Sequence, residues 1–135
     1  MITNTAITIF NKHAVNRTEV FQRTEVSAVL WQSSQAVNKY RGADLSANKA
    51  VIAIPFSECK SHLMPKAWLA LADKADNWTL QEGDVIVRGI VTDEITTEFT
   101  MSSLRAKYDD VLEIVSADRM DQGSSNTHHW LVGCK

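Results

Sequence analysis

The sequence predicts a mainly β fold, a small antiparallel barrel or sandwich of about six or seven strands with one or two short helices. Three observations predict it. Most apolar clusters are short and alternate with polar residues, which is the period of a half-buried strand. Glycine, proline and small polar residues separate these clusters, as in chains with many turns. Strands and helices do not alternate along the chain, so a parallel sheet is not expected.

The first two predicted strands lie in residues 6–10 and 19–31. In the first, Ile7 and Ile9 fall on one face, and residues 11–16 form a polar connection. The second is the longest β-like stretch, and its apolar side changes partway along. We therefore expect a bend or bulge near residues 24–26.

The middle of the chain begins with a polar segment rich in Ser, Asn and Gln. Residues 32–48 predict a long exposed loop, and structureless loops of this length are often functional. A mobile hairpin tip is the simpler interpretation. Residues 49–54 predict a strand that Pro55 stops, because proline cannot donate a hydrogen bond to a sheet.

The second half predicts two short helices among further strands. One helix covers residues 65–75, with an extended segment as the alternative, and the other covers 101–107 with Thr100 as its N-cap. The remaining elements, in chain order, are a turn at Glu82-Gly83-Asp84, a strand at 85–88, a kink at Gly89, a second strand at 90–99, a strand at 111–117, a loop at 118–126 and a closing strand at 127–132.

Length and charge limit the class of protein. A chain of 135 residues predicts one domain over 1–135, large enough to form a core without a disulfide or a metal. Fourteen Lys and Arg against sixteen Asp and Glu give a net charge of −2, which argues against tight nucleic-acid binding. No signal peptide, no run of ~18 apolar residues and no membrane contact are expected. We expect a soluble protein made in a cytoplasm, with reduced cysteines.

No catalytic residue, cofactor or metal site is predicted. Cys59 and His62 form one C-x-x-H pair, to which His128, His129 or Cys134 could be added, but structural zinc sites usually use two close pairs. Ser57 and Cys59 lack a glycine-framed elbow, Glu82 and Asp84 flank a turn glycine, and no phosphate-binding motif is present. The four tryptophans are expected in the core in preference to a base-stacking surface.

The chain resembles a family of small structural proteins of tailed phages that are encoded among the head-completion genes. Tryptophan, turn glycines and strand formers carry the resemblance, which extends over nearly the whole length. The matching segments are 6–12 (AITIFNK), 29–31 (VLW), 52–55 (IAIP), 78–89 (WTLQEGDVIVRG) and 129–135 (HWLVGCK). Two features depart from the family pattern: Cys134 replaces a second glycine, and residues 32–48 match no part of it.

The resemblance implies a non-enzymatic protein of the virion, located at the head–tail junction or neck. Within that group it is most similar to a head-closure (stopper) protein, a β-barrel subunit in a ring of about six or twelve copies. Its implied partners are copies of itself, the adaptor or portal on the head side, and the tail terminator or tail tube on the other. A loop in such proteins can project into the channel and contact packaged DNA non-specifically.

Residues 32–48 are the candidate for that channel-facing or partner-binding loop, with Lys39, Tyr40 and Arg41 as its candidate contact residues. Simple solvation of these side chains is the alternative. Three other functions stay open at this point. They are a tail terminator, a minor capsid protein, and a stand-alone barrel that binds single-stranded nucleic acid or an oligosaccharide.

Overall fold

The computed structural model describes residues 2–33 and 50–135, and these residues form a closed antiparallel barrel. The described strands follow one another around the barrel in the order β1-β2-β3-β6-β5-β4. The mainly β class is confirmed, as a barrel and not a sandwich. The strands are β1 (Thr5–Val15), β2 (Thr18–Ser33), β3 (Ala50–Pro55), β4 (Val85–Arg88), β5 (Val111–Met120) and β6 (His129–Cys134).

Strands β1 and β2 form a long hairpin. Its turn residues, Asn16 and Arg17, both have positive φ angles of 52° and 66°, as a tight two-residue hairpin turn requires. The predicted polar connection at residues 11–16 is therefore wrong, because residues 11–15 continue β1 opposite β2. Polar side chains there are compatible with a strand, since this end of the hairpin is mostly half-buried or exposed.

A bulge in β2 changes which of its residues face the barrel interior. The pairs Ile7–Val26 and Thr5–Val29 leave two β2 residues, at 27 and 28, opposite a single β1 residue. Val26 is buried before the bulge, and Val29 and Trp31 are buried after it. The predicted change of face is confirmed, although the irregularity follows residues 24–26 instead of lying within them.

Large apolar side chains fill the barrel interior. This interior core draws on all the described strands and on the segment before β4. Its buried members are Ile7, Ile9, Val26, Val29, Trp31, Ala50, Ile52, Ile54, Trp78, Leu80, Ile86, Leu112, Ile114, Trp130, Val132 and Cys134.

A second apolar cluster covers the outer face of β1 and β4. Helix α2 (Met101–Lys107) and the irregular segment before it pack there. We call this set the outer cluster; its buried members are Phe10, Val85, Val87, Val91 and Leu104. Thr100 caps α2 as predicted, since its Oγ1 accepts a hydrogen bond of 3.3 Å from the Ser103 N–H.

The predicted strand at residues 90–99 is wrong. Gly89 has a φ of 92°, and the chain leaves the sheet at that point. The Thr8 hydroxyl then accepts a hydrogen bond from the Val91 N–H and donates one to the Gly89 carbonyl, each at 2.9 Å. These bonds hold the segment against β1 without a strand pairing.

Other boundaries differ from the predictions by a few residues. Helix α1 (Pro65–Leu69) is shorter than 65–75, and β3 includes Pro55 as its last residue, opposite His129. Strand β5 runs to Met120 because β6 pairs with it up to that residue, so the predicted loop starts too early. The closing strand begins at His129, after a 3-10 turn at residues 125–127, and not at residue 127 as predicted. Strand β4 and helix α2 have the predicted bounds.

Candidate functional site

The Gly-Asp turn before β4 is locked to β1 by a buried polar network. The Asp84 carboxylate is fully buried and accepts hydrogen bonds from Asn11 Nδ2 at 2.6 Å, the Lys12 N–H at 3.0 Å and Gln81 Nε2 at 3.1 Å. Asn11 in turn donates to the Thr79 carbonyl at 2.7 Å and accepts from the Thr79 N–H at 3.3 Å. The network joins two chain segments that are far apart in sequence, residues 11–12 and residues 79–84.

Burial dominates the electrostatics of this network. Removal of the Asp84 carboxyl from water raises its pKa from 3.8 to about 6, although its hydrogen bonds act in the opposite direction. Asp84 does flank the turn glycine as predicted, but it is buried and its partners include residues of β1. Sequence reasoning also missed Asn11, which lies in a segment predicted to be a polar connection.

A cluster of aromatic rings surrounds His62 at the barrel end where β6 begins. The His62 ring centroid lies 4.9 Å from that of Trp78 and 5.2 Å from that of Trp130. Phe56 packs beside Trp130 at 6.3 Å, and the Arg119 guanidinium lies over the Trp130 ring at 5.4 Å. Burial, followed by the nearby Arg119 charge, lowers the pKa of His62 to about 4, so its imidazole is neutral at pH 7.

The cysteines are structural side chains in this fold. Burial raises the pKa of Cys59 to about 11 and that of Cys134 to about 12, so both thiols are protonated at neutral pH. Cys59 donates from Sγ to the Pro55 carbonyl at 3.4 Å, and Cys134 lies inside the barrel. Within residues 2–33 and 50–135, no group of three or more His, Cys, Asp or Glu could hold a metal ion.

The four tryptophans are buried, which confirms their predicted place in the core. Trp31, Trp78 and Trp130 lie in the interior core, with 4% to 7% of their surface exposed. Trp68, on α1, is fully buried, and its Nε1 donates to the Asn77 carbonyl at 3.1 Å. None of the four therefore offers an exposed ring face of the kind that base stacking uses.

One exposed surface at the end of the β5–β6 pair combines the guanidinium of Arg119 with two thioethers. We call it the cationic face and define it by Arg119, Met120, His129 and Met64. Met64 and Met120 are 49% and 38% exposed, and Arg119 Nη2 lies 4.0 Å from Met64 Sδ. Arg119, Met120 and His129 also line a pocket of about 370 Å³.

A second exposed surface carries mainly carboxylates. We call it the acidic face and define it by Glu25, Glu58, Asp76 and Ile90, which line a pocket of about 540 Å³ together with Lys60 and several hydroxyl side chains. Ile90 is 50% exposed, and Glu58 accepts a hydrogen bond of 3.0 Å from the Ser27 hydroxyl. Sequence reasoning missed both faces, because each joins residues from segments that are distant in the chain.

Lys39, Tyr40 and Arg41 lie outside the described residues, so their proposed role as contact residues stays a prediction. The described chain places the two ends of that segment together, since Ser33 of β2 is paired with Ala50 of β3. No helix of the described part of the chain is long and apolar enough to cross a membrane.

In the part of the chain that the structure describes, six strands close into a barrel, and buried polar and aromatic groups hold its framework. The chain belongs to a family of unknown function (DUF6751), which matches residues 2–135. The comparisons found no match among curated proteins and none among solved structures.

Proposed function

We propose that this protein is a non-enzymatic structural subunit of a tailed-phage particle, a ring-forming head-closure protein at the head–tail junction. The resemblance of its sequence to small phage proteins of the head-completion group is the basis of the proposal. Its proposed partners are further copies of the chain, the adaptor or portal on the head side and the tail on the other side.

One observation carries the proposal: the residues of the resemblance build the barrel itself. Trp78 and Trp130 pack in the interior core, and Asp84 holds the Gly83 turn against β1. The residues that carry the resemblance therefore stabilise the barrel. This is what we expect of a protein whose function is to bind other chains through its surface.

The state of the ionisable groups also supports a structural role. Cys59 and Cys134 are held as neutral thiols and His62 as a neutral, half-buried imidazole. A nucleophile needs the thiolate, and a general base needs a pKa near the working pH and access to a substrate. The two thiols are instead protonated at neutral pH, and the pKa of His62 lies far below it.

The proposal gives the predicted loop at residues 32–48 the role of the channel or partner loop, except for Gln32 and Ser33, which are strand residues of β2. The test is deletion of residues 39–45 in the complete phage genome. We expect the purified subunit to keep its barrel, measured by circular dichroism and tryptophan fluorescence. Particles should lose their DNA or fail to join tails, measured by protected DNA per particle and by electron microscopy.

A matched control replaces Lys39 and Arg41 with Gln at unchanged loop length, which separates the loss of charge from the loss of chain. Normal infectivity of the deletion phage would overturn the role of the loop. A wider test uses a peptide tag at residue 97, in the exposed segment before α2 and away from both pockets. Absence of the tagged chain from purified particles, or gold labelling away from the neck, would overturn the head-closure function.

A further inference from the structure

We propose that the cationic face of one copy docks on the acidic face of the next copy, in a head-to-tail contact that repeats around the ring. This inference rests on the ring-forming function proposed above and names the surfaces that form the ring. It follows from the charge, the exposed apolar area and the positions of the two faces.

The two faces are opposite in charge. The cationic face presents the Arg119 guanidinium, and among the described residues no carboxylate lies within 4 Å of it. The acidic face presents Glu25, Glu58 and Asp76 against one cation, Lys60. Part of the Glu25 charge is compensated within the chain, because Arg23 Nη1 lies 3.2 Å from its Oε1. Glu58 and Asp76 remain as the natural partners for a guanidinium from a second copy.

Carboxylates near the cationic face set its limits. Asp118 precedes Arg119 in β5, and Asp121 follows Met120 directly. Neither Asp118 nor Asp121 lines the pocket that Arg119, Met120 and His129 share. The contact must therefore centre on Arg119 and the pocket beside it, and not on the whole end of β5.

Each face also exposes apolar surface beside its charges. Met64 contacts Arg119, and Met120 lines the pocket beside it. Ile90 borders the carboxylates of the other face at 50% exposure. Methionine, arginine and aromatic residues are enriched at the centres of protein interfaces. The stacking of Arg119 on Trp130 holds its guanidinium in place before contact, which reduces the entropy lost on binding.

The two faces consist of different residues, as a repeating contact requires. The cationic face joins β5 and β6 to Met64, and the acidic face joins β2 to residues 58, 76 and 90. A contact between two different faces of identical subunits is heterologous, and it closes into a ring when the rotation per subunit allows. A two-fold dimer would instead use one face twice, which like charges on each face oppose.

Charge reversal provides a sharp test, because a head-to-tail contact can be broken and restored by mixing. We expect R119E alone, and E58R alone, each to weaken self-association by about ten-fold or more, since each places like charges opposite each other. A 1:1 mixture of the two variants should associate again, in alternating order, because every interface then joins opposite charges. Sedimentation velocity and native mass spectrometry at low salt measure the masses and the alternation.

Controls carry the same charge changes away from both faces. R105E, on the exposed side of α2, and E98R, in the segment before it, should associate like the unmodified protein. M120D and D76R serve as a second pair, which leaves the Arg119–Trp130 stack and the Ser27–Glu58 hydrogen bond intact. Each variant is first checked for an unchanged fold by circular dichroism.

Several outcomes would overturn the contact. They are an unmodified protein that stays monomeric up to about 1 mM, variants that associate normally alone, or a mixture that stays dissociated. Failure of the proposed function gives a different result. Association through these faces without incorporation into particles would leave the contact standing and remove the head-closure role. Incorporation into particles, with no effect of charge reversal on association, would leave the head-closure role standing and remove the contact.

Discussion

The interior core and the outer cluster are built in different ways. The interior core joins side chains from strands that pair all the way around the barrel. The outer cluster joins one short helix and an irregular segment to the outside of β1 and β4. The interior therefore depends on many long-range pairings at once, whereas the outer cluster is an added layer on one side.

This difference explains why β4 has a continuous apolar sequence and β5 an alternating one. In β4, Val85, Ile86 and Val87 are all buried, because the interior core covers one face and the outer cluster covers the other. In β5, Leu112 and Ile114 are buried and their neighbours are half-buried, which is the alternation of a strand covered mainly on one face. A continuous apolar run thus marks the part of the barrel that carries a second layer.

The largest effect should come from a paired truncation, one in each region. Ile52 in the interior core and Leu104 in the outer cluster are both fully buried. Ile52→Ala should lower the free energy of unfolding by about 4 kcal/mol, and Leu104→Ala by about 2 kcal/mol, because the irregular outer segment can relax into the gap and the barrel cannot. Urea unfolding of the two variants and the unmodified protein measures the difference.

Hydrogen exchange shows where each truncation acts. Leu104→Ala should increase exchange in residues 91–108 and leave β3 and β6 protected, whereas Ile52→Ala should increase exchange throughout the barrel. Equal losses with the same exchange pattern would show that the two regions unfold as one unit, and the distinction between core and added layer would be wrong.

The next effect concerns Asp84, whose network ties β1 to the turn before β4. The folded pKa of about 6 lies above the unfolded value of 3.8. The folded state thus binds the proton more tightly, and the stability that protonation gives is lost as the pH rises from about 4 to about 6. The loss amounts to about 3 kcal/mol.

Asp84→Asn removes this titration and turns one acceptor into a donor that faces the Asn11 amide. We expect the variant to be less stable than the unmodified protein, by about 2 kcal/mol at pH 7.5 and by more at pH 4.5. Urea unfolding at several pH values tests this, with the exposed Asp109→Asn as control. A stability difference that does not change with pH, or that grows above pH 6, would contradict the raised pKa.

Local signals were enough to predict most of the fold. The turn at Glu82-Gly83, the bounds of β4 and the cap at Thr100 depend on neighbouring residues, and each was predicted correctly. The wrong predictions concern segments whose structure depends on pairing with strands that are distant in the sequence. Asp118 and Arg119 are charged, yet residues 118–120 are strand because β6 pairs with them. Residues 90–99 have β-forming composition, but the described strands already close into a barrel and leave them no edge to join.

The candidate faces could not be predicted from the sequence. Met64 and Arg119 are separated by 55 residues and meet only because the loop after β3 closes over the start of β6. Asp84 had a local signal for a turn, but its burial depends on Asn11, 73 residues away. The sequence pattern shows which residues form the framework, and the barrel closure decides which others meet.

The smallest effect tests the attachment of the outer cluster through the cap of α2. Thr100→Ala removes the acceptor of the Ser103 N–H, and the free energy of unfolding should fall by about 1 kcal/mol. Ser102→Ala, at an exposed position inside the same helix, is the matched control and should change little. Because the cap acts only on the added layer, hydrogen exchange should increase in residues 100–108 while the barrel strands stay protected. A comparable increase in β3 or β6 would mean that α2 supports the barrel itself, and the outer cluster would then count as part of one continuous core.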